Sequence, residues 1–91
     1  MTKIYQVFYT SFDGSDDYLF NEVKITTTDK DKAVDAYNMA VKNCCGSLDE
    51  EVEDESVDFY DCSNDETLAD IVVERNGYRE YIRIELKEFE V

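Results

Sequence analysis

Large side chains occupy both parities of the segment from Lys3 to Phe12: Ile4, Phe8 and Phe12 on one, Tyr5, Val7 and Tyr9 on the other. That is the pattern of a strand with two occupied faces, lying inside a sheet rather than at its rim. Asp13-Gly14-Ser15-Asp16-Asp17 has turn chemistry, because these residues accept positive φ or bond their own backbone. From Tyr18 to Thr27, Leu19, Val23 and Ile25 alternate with Glu22, Lys24 and Thr26, which predicts a second strand and a hairpin. The period then changes. Ala33, Val34, Tyr37, Ala40, Val41 and Cys44 recur at helical spacing, with Lys32, Asp35, Asn38 and Lys42 mostly on the other side. Thr28 is the expected N-cap, Asp29 and Asp31 suit the first turn, and Gly46 is the expected stop. A helix of about four turns, packed on a sheet, follows.

Beyond Gly46 the apolar pattern thins. Leu48 to Ser56 is an acidic run, expected as a loop or a short frayed helix within 46–56. Val57, Phe59 and Asp61 alternate and predict a short third strand, closed by a turn at Ser63-Asn64-Asp65-Glu66. Asn76-Gly77, between Leu68–Arg75 and Tyr78–Val91, predicts a two-residue type I′ hairpin. The turn dictates the register: Arg75 faces Tyr78, Glu74 faces Arg79, Val73 faces Glu80, Val72 faces Tyr81, Ile71 faces Ile82 and Asp70 faces Arg83. Glu74–Arg79 and Asp70–Arg83 then share one face with Val72–Tyr81, and Ile71, Ile82, Ile84 and Leu86 point to the core. All three arginines acquire intramolecular partners or positions. The expected fold is a single α+β domain over residues 1–91, order ββαβββ, with a mainly antiparallel sheet and one main helix on one face.

Charge changes the picture. The chain carries net −14, and between Lys42 and Arg75 it has twelve acidic residues and no basic one. Such a block repels itself and lowers the stability of the compact state. Solubility of a small domain asks for only about 2–8 charges, so the surplus points to a strongly positive partner; a solvated loop is the bland alternative. With 43% hydrophobic and 13% aromatic residues the chain is too apolar for full disorder. Its core is small, and dimerisation or a partner could add to its stability.

Several chemistries are disfavoured. There is no His, no glycine-rich phosphate loop and no Gly-x-Ser-x-Gly, so no reaction is indicated and no cofactor is expected. Three cysteines are an odd count and too few for a zinc site. They read as free thiols, with a Cys44–Cys62 or Cys45–Cys62 bridge open if the helix lies beside the third strand. Asp13–Asp17 and Asp49–Glu55 offer oxygens to calcium but match no EF-hand loop. Direct nucleic-acid binding is opposed by the charge. No signal peptide and no membrane-length apolar run is visible, which makes the cytoplasm the default location.

The inverse of nucleic-acid binding fits better. Asp49, Glu50, Glu51, Glu53, Asp54, Glu55, Asp58, Asp61, Asp65 and Glu66 put ten carboxylates in eighteen residues, with Phe59 and Tyr60 interleaved as anchors. Alternate strand positions lie ~6.6–6.8 Å apart, comparable with neighbouring phosphates along one strand. In size, α+β layout, lack of His and acidic face, the whole chain resembles the small acidic inhibitors made by phages and mobile elements. Anti-CRISPR proteins that occupy the DNA-reading surface of an effector nuclease are among them. The resemblance rests on general character and transfers no residue role. It implies a non-enzymatic DNA mimic whose partner is a basic nucleic-acid-binding protein, such as a CRISPR effector nuclease in a host cytosol. The alternative is a small interaction or assembly module whose acidic segment only solubilises it.

Overall fold

A computed structural model describes residues 2–12 and 18–91, and for 18–20 the backbone alone. The turn expected at Asp13–Asp17, with its calcium candidate, lies outside the described residues. The elements are β1 (Lys3–Phe12), β2 (Tyr18–Thr27), α1 (Lys30–Glu53), β3 (Phe59–Asn64), β4 (Leu68–Arg75) and β5 (Tyr78–Glu90). The five strands form one antiparallel sheet in the order β2-β1-β5-β4-β3. The fold is α+β in the expected ββαβββ order.

The thirteen-residue β5 lies at the centre, paired with β1 on one side and β4 on the other. Asn76 and Gly77 take φ of +50° and +83°, the two left-handed residues a type I′ turn requires. All six cross-strand pairs from Arg75–Tyr78 to Asp70–Arg83 form as the turn dictates. The Arg79–Glu74 and Arg83–Asp70 ion pairs stand side by side on the outer face.

Strand alternation decides what the helix covers. Val7 of β1, Ile71 and Val73 of β4, and Ile82 and Ile84 of β5 point to one side and are buried. Tyr37 and Leu48 of α1 close over them, and Val57 adds to the same core. The opposite face of the sheet has no covering element among the described residues.

Three expectations are corrected. The N-cap is Asp29, not Thr28: its carboxylate accepts from the N–H groups of Asp31 (3.0 Å) and Lys32 (3.3 Å). Thr27 Oγ1 in turn accepts from the Asp29 N–H at 3.0 Å, and a charged cap also favours the dipole. Gly46 does not stop the helix, which runs on to Glu53. Leu48 is the reason. It continues the Tyr37–Cys44 stripe by one turn and is buried in the core, which outweighs a glycine penalty of about 1 kcal/mol. Third, the thiols are not all free: Cys45 of α1 and Cys62 of β3 form a disulfide, and Cys44 is the free one. The helix does lie beside β3, the condition for that bridge. Among the described residues no helix is long and apolar enough to cross a membrane.

Two outcomes follow. A Cβ at Gly46 meets no atom within 4 Å, so Gly46→Ala should raise unfolding free energy by roughly 0.5–1 kcal/mol in urea titration. Denatured without reductant, the chain should show one thiol to Ellman's reagent, and all three only after reduction.

Candidate functional site

Because α1 continues past Gly46, the acidic run is helical rather than extended, and its geometry changes accordingly. The helix ends in a Schellman turn: the Ser56 N–H donates to the Glu51 carbonyl (2.9 Å) and the Glu55 N–H to that of Val52 (3.1 Å). Glu55 holds φ +63° there, a position glycine usually takes. Asp49, Glu50, Glu51, Glu53, Asp54 and Glu55 thus crowd the negative end of a helix dipole whose last turn carries no base. Each carboxylate so placed costs about 0.3–1 kcal/mol where exposed.

Some of these acids have structural duties. Glu51 takes two hydrogen bonds from the Arg75 guanidinium, at 3.3 and 2.9 Å. Asp49 accepts the hydroxyl proton of Tyr60. Asp58 accepts the Asn76 N–H (3.0 Å) and donates its own N–H to the Glu74 carbonyl (2.9 Å), tying the helix exit to the hairpin turn. Glu50, Glu53, Asp54 and Glu55 are exposed and make no side-chain hydrogen bond or ion pair among the described residues.

The other expected residues are elsewhere. Asp65 turns the chain into β4, accepting the N–H groups of Thr67 (2.8 Å) and Leu68 (2.9 Å). Those two donors hold its carboxyl below the usual range. Its carbonyl takes the hydroxyl of Tyr37 at 3.0 Å. Asp65 and Glu66 therefore sit at the far end of β3 from Asp58, roughly 23 Å along the strand. Asp61 pairs with Val72 on the outer face of the sheet, and Phe59 faces outward while Tyr60 faces the helix. The ten carboxylates do not form one array, and strand-like phosphate spacing does not apply to residues 49–53. What remains together is the helix end, residues 49–55, with Asp58 and Tyr60 beside it.

A second feature lies next to it. A cavity of about 540 Å³ opens between α1 and the inner face of the sheet, lined among others by Tyr9, Lys24, Cys44, Glu51, Arg75 and Glu80. Arg75 is shared, with its Nε 3.9 Å from Glu80 and buried without a hydrogen bond. Glu80 also accepts from the buried Ser11 hydroxyl at 2.9 Å. Burial, aided by neighbouring Cys44 and Glu80, pushes the Tyr9 phenol up to about 12. Burial and the acids Glu80 and Glu51 push the Cys44 thiol up, leaving it protonated rather than nucleophilic. The hairpin register already carried the signal for this cluster, since it sets Arg75 and Glu80 on the inward parity.

Among the described residues, no group of three or more His, Cys, Asp or Glu could hold a metal ion. Compared with protein-family models, curated proteins and solved structures, the chain matches none.

Glu55→Gly removes both a left-handed Glu and a carboxylate at the dipole's negative end. It should raise unfolding free energy by about 1 kcal/mol, read as a higher urea midpoint with unchanged slope.

Proposed function

We propose that this chain is a non-enzymatic acidic inhibitor that binds the basic nucleic-acid-binding surface of a target protein and blocks access of DNA or RNA. One observation carries the reading: Glu50, Glu53, Asp54 and Glu55 stand exposed, with no side-chain hydrogen bond or ion pair among the described residues, at a helix end that electrostatically disfavours them. A fold that holds acids where its own dipole repels them leaves a charge that a cationic groove relieves. The mechanism is competition. Carboxylates take the place of phosphates at lysines and arginines, and the net −14 speeds encounter with a positive target. A target of the CRISPR-effector kind, met in a host cytoplasm, is the case closest to the anti-CRISPR resemblance. Asp58 and Tyr60 shape the edge of this surface; Asp61, Asp65 and Glu66 are too far from it, or on the wrong face, to share one groove.

The second reading is an interaction module in which the acids only keep the chain soluble. The sheet face opposite α1, uncovered among the described residues, favours it.

The test is capture from host-cell lysate at ~50 and ~500 mM salt. The proposal expects a nucleic-acid-binding protein held at low salt, released at high salt and displaced by added duplex DNA. The triple variant Glu50→Lys, Glu53→Lys, Asp54→Lys should lose that capture at least tenfold while unfolding no more easily than the parent. Glu51 is left alone because it holds Arg75. A partner that ignores both DNA and the charge reversals would overturn the proposal.

A further inference from the structure

We infer that the face of the sheet opposite α1, which no element covers among the described residues, is a self-association surface, and that two copies of this chain pack sheet to sheet. The face carries a band of exposed apolar side chains between its ion pairs. Val23, Phe59, Tyr81 and Phe89 all point to it and are 46%, 53%, 37% and 42% exposed. Cross-strand pairing makes them part of a band rather than isolated residues: Val23 lies against Phe8, and Tyr81 lies between Phe12 and Val72. A shallow cavity of about 380 Å³ opens beside Tyr81, bordered by Asp70 and Arg83.

Charge identifies the occupant. The strands β3 to β5 present three bases to this face, Arg79, Arg83 and Lys87, against four acids, Asp61, Asp70, Glu74 and Glu85. The bases are paired in place with Glu74, Asp70 and Glu85. The face is thus nearly neutral on a chain of net −14, and the acidic helix end lies on the opposite side of the sheet. A polyanion has no net positive field here to meet, and a strongly basic partner has the helix end instead. A second copy suits the face, because a nearly balanced mixture of signs, three bases against four acids, is compatible with itself under a two-fold axis.

Size agrees. Strands ~4.8 Å apart and ~10 residues long make the face roughly 20 by 33 Å, about 700 Å². That is close to the roughly 800 Å² per partner of a stable interface. Two such faces stack as a sandwich with their aromatics interleaved.

Sedimentation equilibrium of the full chain at micromolar concentration tests this at ~50 and ~500 mM salt. The expected result is a monomer–dimer equilibrium whose dissociation constant falls as salt rises, because screening relieves repulsion between two like-charged copies. This is the opposite salt response to capture of a basic target. Tyr81→Lys and, separately, Phe89→Lys should raise the dissociation constant at least tenfold; both sites are exposed, and unchanged far-UV circular dichroism verifies the fold. A monomer at every concentration and salt overturns the inference. So does a dimer that both variants leave intact, or one broken by the triple reversal at Glu50, Glu53 and Asp54 instead.

Discussion

The two-residue turn at Asn76-Gly77 constrains most of what lies around it. It admits one register of β4 against β5, and that register sends Arg75 and Glu80 to the helix side of the sheet. Arg75 is then within reach of Glu51 on α1, and Asp58 clasps the N–H of Asn76 itself. These contacts pin the last turns of a helix whose own composition argues against them, with a glycine in its middle and acids at its negative pole. The exposed carboxylates beyond Glu51 are held out by that anchorage. Arg75 is divided between two acids and leaves one nitrogen without a hydrogen bond, an imperfect pairing at the point where the hairpin, the helix and the cavity meet.

Legibility in the sequence followed the strength of the local signal. Asn-Gly flanked by complementary pairs carried strand positions, register and ion pairs together, because a strand slip by one residue would have inverted every side chain. The helical stripe was readable through Cys44. Its continuation was not, because Gly46 is a strong local stop and only the packed sheet shows that Leu48 has a place beneath it. The N-cap moved by one residue for a similar reason: Thr27 still belongs to β2, and Asp29 offers a stronger acceptor than Thr28.

The candidate site was less legible than the fold. Residues close in sequence between 49 and 66 are spread over a helix end, the outer face of a strand and a distant turn. Only knowledge of which period applies, 3.6 or 2, could have separated them. Cys45 and Cys62 belong to the same class of difficulty, since their meeting depends on how α1 lies over β3. The two faces of the molecule now differ in kind. One is acidic, helical and electrostatically strained; the other is nearly neutral, aromatic and flat.

Thr2 and Val91 exchange a pair of backbone hydrogen bonds, 3.2 and 2.9 Å long, across neighbouring antiparallel strands. Force applied between these two points would load the β1–β5 ladder from one end, breaking its bonds one after another rather than all together. The sheet would open like a zipper through its central strand, exposing the core at low force.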